Sequence, residues 1–167
     1  IILLLKENDL IILESTSPIG TMKKIQNKIQ MKRKDLKKLF IAYCPERVLP
    51  GNILNELIDN DRVVGGVDKD STQIAASFYK GFISGRVYQT NSETSEMCKL
   101  VENSYRDINI VYANELSIVC NKLNLDELEV IKFANKHPRV NILNPGCGVG
   151  GHCIAVDPWF IASQFPN

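Results

Sequence analysis

Between Thr94 and Leu123 the chain runs for about thirty residues without a proline or a glycine. Met97, Leu100, Val101, Ile108, Val111, Leu116 and Val119 recur there at helical intervals, the spacing that stacks side chains along one face. The pattern predicts one long helix, buried along much of its length. A second helix, Asp126 to Asn135, is stopped ahead of Pro138.

What precedes the long helix alternates between strand and helix. Asp9 to Glu14 reads as a strand around Leu10-Ile11-Ile12-Leu13, closed by the polar turn Ser15-Thr16-Ser17-Pro18-Ile19-Gly20. Pro18 sits where a helix can begin, and Thr21 to Leu39 has helical spacing. Its basic residues, Lys23, Lys24, Lys28, Lys32, Arg33, Lys34, Lys37 and Lys38, read as the solvated face of a surface helix, since no aromatics interleave with them. Phe40-Ile41-Ala42-Tyr43 is a short buried strand, followed by the loop Cys44-Pro45-Glu46-Arg47-Val48-Leu49-Pro50-Gly51. Arg62 to Val67 is a further strand, Asp70 to Gly81 a helix capped by Asp70 or Ser71, and Val87 to Thr90 a last strand. Such alternation predicts an α/β layer with a largely parallel sheet over residues 1–91, and an all-helical domain over 92–167.

A formal net charge of +1 calls for neither nucleic acid nor an anionic membrane. The opening run Ile1 to Leu5 is far shorter than the roughly 20 apolar residues of a membrane span, and lacks the flanks of a secretory signal. The five cysteines are odd in number and scattered, which points to reduced thiols and a cytoplasmic protein.

The stretch richest in chemistry is Asn144-Pro145-Gly146-Cys147-Gly148-Val149-Gly150-Gly151-His152-Cys153-Ile154-Ala155-Val156-Asp157-Pro158. Four glycines within six residues allow positive φ and a close approach of ligand to backbone. If Cys153 begins a helical turn, Asp157 falls on the same face, where a carboxylate can position or activate water. A thiolate would draw its help from a helix N-terminus or a cation. The competing reading makes Cys153 a small buried hydrophobe. A zinc site from Cys147, His152 and Cys153 is disfavoured, because adjacent ligands suit one tetrahedral ion poorly and no paired Cys-x-x-Cys exists.

On the long helix, Lys99 and Asn103 are four apart in an apolar neighbourhood and form a candidate oxyanion clamp; a surface lysine beside an incidental asparagine is the alternative. Glu46 and Thr16 each follow a strand, where an open α/β sheet places ligand-contacting groups.

Four segments, Glu14 to Gly20, Cys44 to Gly51, Glu96 to Asn103 and Gly150 to Pro158, occur in an order that resembles the UDP-glucose/GDP-mannose dehydrogenase family. The resemblance implies the end of a Rossmann-type NAD domain followed by a helical central domain. It also implies a four-electron oxidation of a UDP-sugar C6 alcohol to the acid, with NAD as oxidant and the cysteine matching Cys153 as nucleophile. By position, Lys99 and Asn103 would stabilise the oxyanion, while Asp157 and Glu46 would serve water activation and proton transfer. Thr16 would hold a water or contact the cofactor together with Ser15. Arg47, Gly150, Gly151 and His152 would join Glu46, Lys99 and Asn103 around the substrate.

Glucose-specific members usually carry Pro-Glu-Phe-Leu-Arg-Glu-Gly and Cys-Phe-Pro-Lys-Asp or Cys-Leu-Pro-Lys-Asp. Here Pro50 replaces the second loop carboxylate and Val156 the lysine before the aspartate. Loss of those charges points to another sugar, and the pattern is most similar to members acting on UDP-N-acetyl-D-mannosamine, for surface polysaccharide. UDP-N-acetylglucosamine is the rival, then UDP-glucose. Cys147 stands where a proline is expected in this subgroup.

The Gly-x-Gly-x-x-Gly turn after a first strand, expected of a complete NAD domain, is absent from this stretch, as is a UDP-binding C-terminal domain. The expectation is therefore a fragment, inactive in isolation, of an active parent. Two other classes compete. A non-catalytic relative of the fold leaves the joint presence of Lys99, Asn103, Cys153 and Asp157 unexplained. A 6-phosphogluconate- or hydroxyisobutyrate-type dehydrogenase leaves the Gly-Gly-His-Cys run unexplained. The long helix also predicts a homodimer, since it carries more apolar surface than one short helix can cover.

Overall fold

The computed structural model describes residues 1–48, 51–151 and 153–164. The chain forms two compact units, Ile1–Lys99 and Leu100–Asn167. Each is described in turn.

In the first unit a four-stranded sheet runs in the order β1 (Leu10–Leu13), β2 (Phe40–Tyr43), β3 (Arg62–Gly66), β4 (Val87–Asn91). The β1–β2 and β3–β4 ladders are parallel, whereas β2 and β3 pair antiparallel through Ala42 with Gly66 and Tyr43 with Gly65. The sheet is thus mixed, with two of its three ladders in the expected parallel sense.

Alternation along the strands sends side chains to two separate cores. Ala42, Cys44 and Val64 pack with Ala75, Ala76 and Tyr79 of α3 (Lys69–Lys80), joined by Leu10 and Ile12. On the other side, Ile41 and Tyr43 pack with Met22 and Ile29 of α1 (Thr21–Lys32), joined by Ile11 and Leu13. Both faces of the sheet are therefore covered, as an α/β layer requires.

Three local expectations change. Helix α1 ends at Lys32 rather than Leu39. Arg33 leaves helical geometry and its Nη1 donates to the carbonyls of Ile2 and Leu5, both at 3.1 Å, while its Nε reaches Asp35 at 2.9 Å. Leu36, closing a turn onto the Arg33 carbonyl, and Leu39 then pack on the α1-side core from outside the helix, so their apolar spacing is tertiary rather than helical. Helix α3 is capped by Asp68, not Asp70 or Ser71: its Oδ1 accepts from the Ser71 N–H at 2.7 Å. The Ser71 hydroxyl is instead used by the Ile41 N–H at 3.1 Å. A seven-residue helix, α2 (Ile53–Asp59), lies between β2 and β3 in the chain and is too short to show a period.

Gly65 is required where it stands. A Cβ there would lie 2.2 Å from the Asn91 carbonyl oxygen and 2.7 Å from the Ser95 Cβ, so the first turn of α4 (Ser92–Lys122) closes directly onto β3.

In the second unit the remainder of α4 continues, followed by α5 (Glu127–Ala134) and α6 (Asp157–Ala162). Asp126 caps α5 by accepting from the Leu128 and Glu129 N–H groups. Asn135 holds the following segment through paired bonds to the Ile142 N–H and carbonyl, at 2.7 and 2.9 Å. Ala113, Cys120 and Ile131 are buried. The long helix is less buried than its composition predicts. Tyr105 is 68% and Ile108 66% exposed, with Val101, Tyr112 and Val119 also open. Apolar side chains are spread round α4 more widely than the one stripe that a surface helix buries.

Candidate active site

Within the first unit, the chain after β2 turns sharply around its own glutamate. Oε1 of Glu46 accepts the N–H of Arg47 at 2.6 Å and that of Val48 at 2.8 Å. Oε2 receives Nη1 of Arg62 at 3.3 Å. Burial of Glu46 works against its ionisation, but the Val48 and Arg47 N–H groups and the Arg62 guanidinium outweigh it and hold the carboxyl below its ordinary value. Lys99 arrives from α4 and donates from Nζ to the Glu46 carbonyl oxygen at 2.7 Å. The structure thus joins Lys99 to Glu46, a contact that sequence spacing did not anticipate.

The turn after β1 carries Ser15, exposed, and Thr16, half-buried. Next to them Ser17 is buried, and its hydroxyl finds no hydrogen-bond partner among the described residues. Gly20 and Met22, at the start of α1, donate to the two carboxylate oxygens of Glu96 at 2.6 and 2.8 Å. Glu96 is fully buried, and burial pushes its carboxyl up in spite of those two N–H donors.

Within the second unit, Asn103 and Asp157 are both buried, and Nδ2 of Asn103 donates to Oδ2 of Asp157 at 2.5 Å. Asn103 is therefore engaged with a carboxylate rather than standing as a free clamp. The Asp157 N–H donates to the Cys153 carbonyl at 2.9 Å, four residues back, so the two residues do share one helical turn. Cys153 itself is exposed, which removes the reading of a buried hydrophobe. It does not occupy a helix N-terminus, however, because α6 begins only at Asp157. Pro158 favours that start, its fixed φ suiting the first helical turn.

Gly148 and Gly151 adopt φ of 133° and 93°. A Cβ at Gly146, Gly148, Gly150 or Gly151 would meet nothing within 4 Å, so the loop before Cys153 is open. It is tethered where the Gly146 N–H donates to Oδ1 of Asn114 at 2.8 Å. His152 lies outside the described residues.

Arg62 and Glu96 were missed by sequence reasoning, although each had a signal. Period two puts Arg62 on the same strand face as Val64. Helical spacing puts Glu96 on one stripe with Leu100 and Asn103.

Comparison with known proteins decides the lineage. Residues 1–83 match the NAD binding domain of the UDP-glucose/GDP-mannose dehydrogenase family, and residues 93–167 match its central domain.

The chain belongs to the UDP-glucose/GDP-mannose dehydrogenase family.

A UDP-N-acetyl-D-mannosamine dehydrogenase of Campylobacter jejuni is 54% identical over 98% of this chain, which spans 42% of that protein. A solved UDP-D-ManNAc dehydrogenase from Pyrococcus horikoshii superposes with a TM-score of 0.92 at 40% identity, over 98% of this chain and 40% of that one. The UDP-N-acetyl-mannosamine dehydrogenase Cap5O from Staphylococcus aureus gives 0.83 at 48% identity, over 95% of this chain and 39% of that one. The fold is accordingly α/β, the end of a Rossmann-type NAD domain followed by a helical central domain with one long helix. No helix among the described residues is long and apolar enough to cross a membrane.

The residues after β1 fit the dinucleotide that the family's first domain takes. They end a strand of an α/β sheet, where such ligands bind, and combine the exposed Ser15 with the unfilled, buried hydroxyl of Ser17.

Proposed function

We propose that the whole protein carrying this chain oxidises the C6 alcohol of UDP-N-acetyl-D-mannosamine to the carboxylate, in the cytoplasm, for surface polysaccharide. Residues 1–91 would serve the NAD-binding part and residues 92–167 the central domain. The observation that carries the reading is the buried Asn103–Asp157 bond tied through the Asp157 N–H to exposed Cys153. NAD⁺, when bound, accepts one hydride in each of the two oxidations.

Cys153 adds its sulfur to the aldehyde carbon formed in the first oxidation, giving a thiohemiacetal that can lose a second hydride. The resulting thioester is opened by water, which returns the thiol and releases the acid. Glu46 and Asp157 serve water activation and proton transfer, and Thr16 with Ser15 faces the cofactor or an ordered water. Lys99 and Asn103 stabilise the oxyanion. That role requires Asn103 to keep its second N–H for the reacting oxygen while the first holds Asp157. Gly150 and Gly151, with no atom near their Cβ positions, let the sugar approach the backbone, and His152 and Arg47 complete the substrate contacts.

The choice of sugar is supported by the names and identities of the relatives and by Pro50 and Val156 in place of two charges. UDP-N-acetylglucosamine and UDP-glucose are the alternatives. The exposed stripe Val101, Tyr105, Ile108, Tyr112 and Val119 supports a homodimer through α4.

The test is the number of NADH released per UDP-N-acetyl-D-mannosamine consumed by the full-length protein. Two supports the double oxidation, one removes the thioester, and turnover only on UDP-N-acetylglucosamine overturns the sugar alone.

A further inference from the structure

We propose that Arg62 is a positioning residue for Glu46, fixing which oxygen of that carboxylate is offered to a reacting water. The inference deepens the reading above and rests on Glu46 serving proton transfer.

Arg62 opens β3 on the face that carries Val64, and only 2% of it is exposed. Three elements hold its guanidinium. Nη1 meets Oε2 of Glu46 at 3.3 Å, Nη2 donates to the Leu57 carbonyl of α2 at 3.2 Å, and the group sits 5.7 Å from the Tyr79 ring centroid of α3. A side chain gripped in this way cannot follow Glu46 if the carboxylate turns, so Glu46 must conform to Arg62.

The consequence follows from counting acceptor sites. A carboxylate oxygen has two lone pairs. Those of Oε1 are used by the Arg47 and Val48 N–H groups. Oε2 takes Arg62 and keeps one direction free among the described contacts. With 33% of the Glu46 side chain exposed, that free direction is where a water can donate a hydrogen bond and give up a proton. The backbone of the same residue is fixed independently by Lys99 at 2.7 Å.

A buried ion pair is weak ground for stability, because apolar replacement of both partners is often neutral or favourable. Its effect here is on the direction and charge of one carboxylate. Other titratable groups surround the pair: Glu14 after β1, Cys44 after β2, Tyr79 of α3, Arg47 in the loop and Lys99 of α4. The Tyr79 hydroxyl is occupied by Glu14 at 2.6 Å. Burial and that bond keep the phenol protonated well above its ordinary range, so it does not compete for Glu46 near neutrality.

The experiment uses the full-length enzyme, with Arg62→Gln and Arg62→Lys made alone and on Glu46→Gln, each checked for folding by circular dichroism. Arg62→Gln is expected to lower kcat about tenfold and to move its acid limb up by about one pH unit, with both KM values within about twofold. Arg62→Lys keeps the charge and is expected to recover most of the acid limb. On Glu46→Gln, Arg62→Gln is expected to change kcat no further. Additive losses, or an unmoved acid limb, overturn the proposal. A carbon-13 carboxyl titration of Glu46 in wild type and in the charge-removing variant Arg62→Met needs no turnover. An unmoved Glu46 there overturns the proposal even if Arg62→Gln fails to fold. A moved Glu46 in a protein that oxidises no nucleotide sugar supports the pairing and sinks only the assigned reaction.

Discussion

The amide of Asn103 holds the carboxylate of Asp157 at 2.5 Å, with both side chains buried. The bond joins the middle of α4 to the first residue of α6, and so to the Cys153 turn. Removing the donor leaves a buried carboxylate short of a partner, at about 2 kcal/mol for a bond to a charged group. Asn103→Ala is therefore expected to lower urea stability by about that amount. Asn103→Asp is expected to cost more, since it sets two carboxylates face to face. If Asn103→Ala left stability unchanged, the bond would not be holding the site.

Glu46 and Glu96 are expected to titrate on opposite sides of the ordinary glutamate value of 4.5. Glu46 lies below it, so its contribution to stability is complete above 4.5 and is lost as the pH falls through the folded value. Glu96 lies above it because burial favours the protonated form, so the cost of ionising it is relieved as the pH falls through its folded value towards 4.5. Carbon-13 carboxyl titration reads both directly. Finding both on the same side of 4.5 would contradict the environments described for one of them.

Gly65 and Gly146 offer a matched pair. Alanine at 65 must displace the Asn91 carbonyl and Ser95, and is expected to cost about 3 kcal/mol as an overpacked core position. Alanine at 146 meets nothing within 4 Å and is expected to change stability by less than about 0.5 kcal/mol. Chemical denaturation of the two variants makes the comparison. Equal losses would remove the close approach of α4 to β3 as the reason for the glycine.

The cysteines separate by burial. Cys147 and Cys153 are exposed, whereas Cys44 and Cys120 are buried, and burial also pushes the Cys44 thiol up. Brief alkylation of the native protein, mapped by mass spectrometry, is expected to label Cys147 and Cys153 and to spare Cys44 and Cys120. In the full-length enzyme, Cys153→Ser is expected to abolish formation of the acid, while Cys147→Ser is expected to retain it.

Elements with strong local periods were legible in the sequence: the long helix, the four strands, and the second helix that is α5. The lineage was legible because four short motifs keep their order. The end of α1 was not, because Leu36 and Leu39 continue a helical spacing while the Arg33 bonds to Ile2 and Leu5 draw the chain away. Arg62 and Glu96 were hidden for a related reason. A charged residue on an apolar face is ordinarily read as solvated, and only tertiary partners, Glu46 for one and the Gly20 and Met22 N–H groups for the other, make burial tolerable. The Lys99–Glu46 contact joins residues 53 apart in sequence, beyond the reach of any local pattern.

The exposed side of α4 supplies the last prediction. Tyr105, Ile108, Tyr112 and Val119 recur at spacings of three, four and seven, the repeat with which two helices pack along a shared seam. Tyr105 and Ile108 are 68% and 66% exposed, more apolar surface than a single surface helix ordinarily leaves to water. A second copy would cover the same stripe with itself about a two-fold axis. The full-length protein is therefore expected to sediment as a dimer, and Ile108→Glu, which sets like charges against each other across such a seam, to shift it to monomer without loss of helix content. A wild-type monomer at micromolar concentration, or an Ile108→Glu protein that remains dimeric, would place any self-association elsewhere than on this face.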